Sequence, residues 1–319
     1  MRAAWYDRQG SPEDVLQYGE LEEATPGPGE VRVRLRTSGI SPGDVKKRQA
    51  WLGAPMAFAR IVPHSDGAGT VDAVGAGVDP ARIGSRVWVY GAQSYRARGT
   101  AAQSTVVPSE LAVDCPPEVS DEIGACLGIA GITAHRAVFA DGPVDGKVVL
   151  VQGVRGAVGS IAAQLARWGG ADVIGTVRSR EEAGDAVVAL DDDPAEAIRA
   201  LAPNGVDRVV EVAFSANLEL DLQVCRIGAV IAAYASPDAR PSLPFWPMLF
   251  NNLVIRLLGS DDFPAQEKRS AADDLTRAVA EGALTVPVAQ RYPLAEIAQA
   301  HAAVEGGRAG GRVILTIPD

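Results

Sequence analysis

The sequence predicts an α/β protein: a small β-barrel, then a doubly wound parallel sheet with helices on both faces. Three observations carry this. The first 116 residues read as short strands cut by Gly and Pro at close intervals, the pattern of a small barrel. The stretch Lys147 to Gly170, KVVLVQGVRGAVGSIAAQLARWGG, reads as strand, glycine turn and helix. Beyond it strands and helices alternate, which implies parallel pairing.

In chain order, PGPGE at Pro26 to Glu30 is a turn cluster. It leads into a strand in which Val31, Val33 and Leu35 alternate with Arg32, Arg34 and Arg36, so one face is buried and the other basic. GAGTVDAVGAG (Gly67 to Gly77) and GSRVWVY (Gly84 to Tyr90) repeat the strand-and-glycine style. Between Ser120 and Phe139 the composition turns to Ala, Gly and Ile at helical spacing, and Asp141, Gly142 and Pro143 then lead into the apolar run Val148 to Val151. The hand-over between domains is expected in this region, with a first domain over 1–118 and a second over 119–260.

The glycine turn is the centre of the functional reading. Gly153, Gly156 and Gly159 recur every third residue, and Ile161, Leu165 and Trp168 share one face of the helix that follows. A helix N-terminus has unpaired N–H groups and a partial positive charge, so a phosphate sits there when no side chain blocks it. Gly153, Gly156 and Ala157 leave the approach open, and Gly159 lets helix and strand pack closely. The next strand, Asp172 to Val177, completes a β-turn-α-β unit of the kind that binds dinucleotides. A carboxylate at the end of that strand would accept from an adenosine ribose, whereas a 2′-phosphate requires cations. Here Thr176 and Val177 lead into Arg178, Ser179 and Arg180, with acids only from Glu181 on, which favours NADP(H) over NAD(H). The competing reading is a solvated loop in which these arginines pair with Glu181 and Glu182. Arg178 to Asp185 is also short for a parallel crossover before the next strand candidate, Ala186 to Leu190. Either its helix is reduced to a turn or the connection is rearranged.

Further elements follow at Asp207 to Val212, Leu218 to Val224, Ala229 to Tyr234 and Leu253 to Leu258. A helix from about Asp261 offers Leu275, Val279 and Leu284 to the core. A Pro293-led segment, a helix near Ile297 to Val304 and a strand at Gly311 to Ile317 close the chain.

Composition narrows the function. A chain of 319 residues is long enough for two domains, and 47% hydrophobic with 22% charged residues is a globular balance. The net charge of −10 argues against a nucleic-acid or anionic-membrane surface. No apolar stretch approaches a membrane span and no signal pattern is seen, so a cytoplasmic protein is expected. Cys115, Cys126 and Cys225 lack metal spacing and read as small core or half-buried residues.

Seven collinear segments resemble one family. They are TSGISPGDVKKR (Thr37 to Arg48), PHSDGAGTVDAVG (Pro63 to Gly75), GTAAQSTVVP (Gly99 to Pro108), GITAHRA (Gly131 to Ala137), the glycine turn, GVDRVVEVA (Gly205 to Ala213) and GGRVIL (Gly310 to Leu315). Together they resemble the zinc-free quinone oxidoreductases of the medium-chain dehydrogenase/reductase superfamily. The resemblance implies a GroES-like partial β-barrel built from both chain ends, so that 261–319 returns to the first domain, and an inserted Rossmann domain. It also implies NADPH as hydride donor, contacts to the cofactor from Thr133, Val158, Tyr234 and Arg312 besides the turn residues, and a homodimer paired through Leu253 to Leu258.

Zinc-dependent relatives place ligands where this chain has Ser41, Ser65 with Asp66, and the ligand-free Leu127 to Ala130. His64 is one residue early and on an extended backbone would point away; His135 and His301 read as structural or surface residues. No metal is therefore expected. What remains is hydride delivery to an electron-poor acceptor, a quinone or a carbonyl-conjugated alkene. Lys46, where family members often place a tyrosine, is the candidate proton donor, with Ser41 and Tyr90 as further lining residues; a surface role for Lys46 stays open. An enoyl-thioester reductase on the same fold and a non-catalytic NADPH-binding protein are the competing readings.

Overall fold

The computed structural model describes residues 1–307 and 310–318. In chain order the elements are β1 (Arg2–Trp5), α1 (Pro12–Val15), β2 (Gln17–Glu20), β3 (Glu30–Gly39), α2 (Pro42–Arg48), β4 (Asp66–Val74), β5 (Arg86–Val89), β6 (Ser104–Pro108), β7 (Ala112–Asp114), α3 (Asp121–Leu127) and α4 (Ile129–Phe139). They continue with β8 (Val148–Val151), α5 (Ala157–Trp168), β9 (Asp172–Val177), β10 (Val187–Ala189), α6 (Pro194–Leu201), β11 (Val206–Glu211), α7 (Phe214–Val224), β12 (Cys225–Ala233), α8 (Phe245–Phe250), β13 (Val254–Leu257), α9 (Ala265–Ala280), β14 (Val288–Pro293), α10 (Ile297–Glu305) and β15 (Arg312–Thr316).

The chain divides into two compact units, one of residues 1–130, 265–280 and 285–319, the other of 131–264 and 281–284. The first is built on a sheet of order β14-β15-β3-β4-β5-β7, with β6 also on β3. Along β3 the alternation read from sequence holds: Val31, Val33 and Leu35 are buried, while Arg32 and Arg34 reach Asp72 on the outer face. The last strand, β15, pairs antiparallel with β3, so both chain ends build this unit. The division after Ala130 falls later than 118 because α3 packs on this sheet. Thr37 Oγ1 donates to the Asp121 carbonyl at 2.7 Å, and a Cβ on Gly124 would lie 2.9 Å from Trp88 Cβ. Helix α9 also belongs here, its Thr276 accepting from the Trp88 indole at 3.1 Å. Leu275 and Val279 on α9 are buried as expected, but Leu284 is buried in the other unit, past the helix end.

The second unit holds a six-stranded parallel sheet, β10-β9-β8-β11-β12-β13. Leu150, Ile174, Val209 and Ile231 from its strands pack with Ile198 and Leu218 from α6 and α7. From β8 the chain steps outward one way through β9 and β10, and the other way through β11, β12 and β13. A doubly wound sheet binds its ligand outside the strand C-termini where this reversal occurs. The connection between β9 and β10 is one 3-10 turn, Arg180–Glu182, so the expected crossover helix is reduced to a turn.

Among the described residues no helix is long and apolar enough to cross a membrane. Cys115 and Cys126 are buried and Cys225 half-buried; all three thiols are free, and burial pushes each upward from its ordinary pKa.

Candidate functional site

At the C-terminal end of β8 the backbone turns at Gly153, whose φ of 67° is a left-handed conformation open to glycine. The turn is stitched to β9: the Gly153 N–H donates to Thr176 Oγ1 at 3.1 Å and the Val154 N–H to the Thr176 carbonyl at 2.9 Å. Gly156, exposed, is the N-cap of α5 and has no side chain to cap the first helical N–H groups. A Cβ on Gly159 would stand 2.3 Å from the Gly153 carbonyl oxygen, so only glycine lets the helix come this near the strand. Ala157 and Val158 form the first half-buried residues of the helix. Small side chains, uncapped N–H groups and the helix dipole together make a seat for a pyrophosphate.

Below this turn lies a buried polar chain that sequence reasoning missed, because its members come from four separate elements. Thr176 Oγ1 donates to Gln152 Oε1 at 2.6 Å, and Gln152 Nε2 donates to Asp221 Oδ1 at 2.9 Å. Asp221 sits beside Glu211, which accepts from the Ala213 N–H and, at 3.0 Å, from Asn217 Nδ2. Burial and the Glu211 charge push the Asp221 carboxyl well above its ordinary range, so the pair holds a proton. Glu211 is raised by burial as well.

The cations near the end of β9 are not equivalent. Arg180 pairs with Asp192 at 3.0 Å, an ion pair exposed to solvent on both sides. Arg178 is exposed and, among the described residues, has neither hydrogen bond nor ion pair, and Ser179 is half-buried. A further arginine, Arg155, projects from the glycine turn itself, where Nη2 donates to the Glu182 carbonyl at 2.5 Å. Its signal was present in GVRGAVG, as a charged side chain between two glycines. Thr133, on α4, is buried. Tyr234 follows β12, its N–H donating to the Glu211 carbonyl at 3.0 Å, and burial raises its phenol.

In the barrel unit the expected residues separate. Ser41 is buried and is the N-cap of α2, its N–H donating to Asp44 Oδ2 at 2.8 Å. Arg312 is buried beside it, Nη2 donating to Ser41 Oγ at 3.3 Å and lying 3.9 Å from Asp66 Oδ2. These two residues therefore meet, but Arg312 is spent on the barrel interior and is 3% exposed. Lys46 is half-buried on α2 with its ammonium 4.3 Å from the Trp51 ring centroid, a cation–π contact. Tyr90 packs against Trp88 with ring centroids 5.7 Å apart, and its hydroxyl donates to the Glu110 carbonyl at 3.5 Å. Burial pushes the Tyr90 phenol up to about 12, so it is a poor acid or base near neutrality.

His64 departs from the expected extended backbone. Its φ is 74°, and the turn sends the ring into the barrel core against His301 rather than away from it. His301 is thus a buried structural residue; His135 is buried too, its ring 4.9 Å from that of Phe139.

The donor set does not suit zinc. Where relatives place ligands stand hydroxyls and one carboxylate, with the Arg312 guanidinium already among them. Among the described residues no group of three or more His, Cys, Asp or Glu could hold a metal ion.

Residues 27–138 match the alcohol dehydrogenase GroES-like domain family, and 183–315 the family described as zinc-binding dehydrogenase. A quinone oxidoreductase of Pseudomonas aeruginosa is 28% identical, the alignment covering 96% of each chain. A 2-haloacrylate reductase of a Burkholderia species is 29% identical over 98% of each. A mycobacterial protein solved in complex with NADPH superposes with a TM-score of 0.86 at 27% identity, covering 99% of this chain and 100% of its own. With the barrel, the parallel sheet and the glycine turn in place, the chain belongs to the quinone oxidoreductase branch of the medium-chain dehydrogenase/reductase superfamily.

Proposed function

We propose that the protein binds NADP(H) and, without zinc, reduces a quinone or a carbonyl-conjugated alkene. The observation that carries this is the glycine turn: a left-handed Gly153, an uncapped α5 and an obligatory Gly159, flanked at the end of β9 by a free Arg178 instead of a carboxylate. Ala157 and Val158, at the uncapped start of α5, present their N–H groups to the pyrophosphate, and Arg178 presents its guanidinium to the 2′-phosphate. Thr133 and Tyr234 complete the cofactor side.

Bound NADPH supplies a hydride. The protein's own part is to bind and orient, and to provide a proton where the acceptor needs one. Of the three expected catalytic residues, Lys46 is the donor we assign. Ser41 is buried and occupied by Arg312, and the Tyr90 hydroxyl is tied to a carbonyl. The Lys46 ammonium leans on the Trp51 ring and, among the described residues, no carboxylate pairs with it. An electron-poor acceptor needs no Lewis acid, consistent with the Arg312 guanidinium standing where a metal would. The names of the related quinone oxidoreductase and 2-haloacrylate reductase support both acceptor classes. We further propose a homodimer formed through β13.

The test is oxidation of NADPH and NADH by purified, chelator-treated protein, with a simple quinone and an unsaturated ketone in parallel. NADPH turnover that survives chelation is expected. Preference for NADH, or loss of turnover on chelation with recovery on adding zinc, would overturn the reading.

A further inference from the structure

We propose that Arg155, inside the glycine turn, is a specificity-determining residue that forms a two-cation seat for the 2′-phosphate with Arg178, and that Arg180 takes no part. This rests on the NADP(H) reading above.

Three observations lead here. The cations at this end of the sheet divide by what already neutralises them. Arg180 lies 3.0 Å from the Asp192 carboxylate, whereas Arg155 and Arg178 have no ion pair among the described residues. Arg155 gives one N–H to a neutral carbonyl, that of Glu182, and so keeps its full charge. Its remaining donors are available, and the side chain is exposed.

Position adds the second argument. Arg155 leaves the turn one residue before the Gly156 N-cap, and Arg178 leaves the sheet one residue after β9 ends. The bonds from the Gly153 N–H to the Thr176 hydroxyl and from the Val154 N–H to the Thr176 carbonyl hold those two points close together. Two guanidinium groups rooted on adjacent, mutually bonded segments can converge on one dianion, each offering a planar fork of donors.

The third argument is the short connection. With the crossover helix reduced to the turn Arg180–Glu182, no helix backs the adenosine ribose. The Arg155 bond to Glu182 ties that turn to the glycine loop and fixes the guanidinium beside it. Glu181 and Asp185 nearby are exposed carboxylates whose repulsion of a phosphate is screened by salt.

The experiment is equilibrium binding, by calorimetry and cofactor fluorescence, of NADPH, NADH and the probe 2′,5′-ADP to the full chain and to R155Q, R178Q and R180Q. Thermal melting of each variant controls for folding. R155Q and R178Q are each expected to weaken NADPH and 2′,5′-ADP by about tenfold or more and to leave NADH within about twofold, while R180Q changes little. Equal weakening of NADPH and NADH by R155Q would reduce Arg155 to a latch and overturn the proposal, as would no weakening at all. Wild-type protein with no preference for NADPH over NADH would instead take down the cofactor reading on which the proposal rests.

Discussion

The Nε2 atoms of His64 and His301 lie 2.9 Å apart in the barrel core, on residues 237 positions apart in the chain. One cation fixes every proton in the line that runs through them. Arg48 can only donate, and its Nε reaches His301 Nδ1 at 3.3 Å, so His301 carries its proton on Nε2 and gives it to His64. His64 must then donate from Nδ1 to Ser38 Oγ at 2.9 Å, Ser38 to Thr100 Oγ1 at 2.8 Å, and Thr100 to the Asp66 carbonyl at 2.7 Å. A second proton on either ring would break this direction of donation beside a buried guanidinium.

Acid should therefore destabilise the barrel unit through these two rings. Burial is the main cause that lowers both, His64 well below its ordinary 6.5 and His301 to about 3, with His301 and Arg312 opposing charge on His64 and Arg48 opposing it on His301. The unfolded chain binds these protons first as pH falls, so the stability they contribute is complete above 6.5 and drains away below it. His301 then costs about 2 kcal/mol between pH 6.5 and about pH 5, and His64 adds to the loss in the same direction. His301→Gln can accept from Arg48 and donate to His64 without titrating. Urea unfolding of this variant should show a pH slope shallower than wild type by about 1.4 kcal/mol per unit in that window. Equal slopes would mean that the pair is not held neutral.

The proton held between Glu211 and Asp221 makes the opposite prediction. Its raised folded pKa means that stability present in acid is lost as pH rises through that value. Asp221→Asn keeps an acceptor for Gln152 and removes the titration, so its urea midpoint should gain on wild type as pH rises above the ordinary carboxylate range and equal or exceed it near neutrality. Asp221→Ala leaves Gln152 Nε2 unpaired in the interior and should cost about 1–3 kcal/mol. A destabilised Asn variant would show that Asp221 is ionised in the folded protein.

Gly159→Ala tests the phosphate seat at the cost of a single methyl group. The added Cβ cannot coexist with the Gly153 carbonyl at 2.3 Å, so strand and helix must part. A stability loss of about 1–3 kcal/mol is expected from the overpacking, with NADPH affinity lowered by about tenfold or more because the N–H groups move off the phosphate. Unchanged affinity would mean that the pyrophosphate is bound elsewhere.

These residues also show what the sequence could reveal. The β-turn-α-β unit was legible because its signals are local: a β-branched run, glycines every third residue, apolar positions on one helix face. That the β9–β10 crossover is either reduced to a turn or rearranged is legible too, since the eight residues Arg178 to Asp185 are short for a helix, and the fold makes it a turn. Partners chosen by tertiary packing were not. Arg178 and Arg180 look alike in RSR, and only the fold gives Arg180 its Asp192. His64 was misjudged because its orientation follows from a left-handed φ that no side-chain pattern announces. Arg312 sits in a terminal strand motif that resembles a cofactor contact, yet the pairing of β15 with β3 carries its side chain inward to Ser41.

The outer edge of β13 leads to the last prediction. Among the described residues this strand pairs only with β12, leaving its other edge open at the end of the six-stranded sheet. An open edge invites pairing unless charge, proline or a covering segment blocks it. Here the side chains do the reverse: Leu257 is 75% exposed, and in the preceding α8 Trp246 is 63% and Phe250 70% exposed. The one charge in the strand, Arg256, is drawn to Asp141 and does not guard the edge. An open strand edge with an exposed Leu257, in a segment that also carries exposed aromatics, suits a second copy of the same strand, which would satisfy the N–H and C=O groups. Light scattering should therefore return twice the chain mass of 33.2 kDa. Leu257→Asp should shift the protein to monomer while leaving a cooperative melting transition, because residue 257 is 75% exposed and contributes little to its own unit's core. A wild-type protein that is monomeric at micromolar concentration would show that this edge does not pair with its own copy.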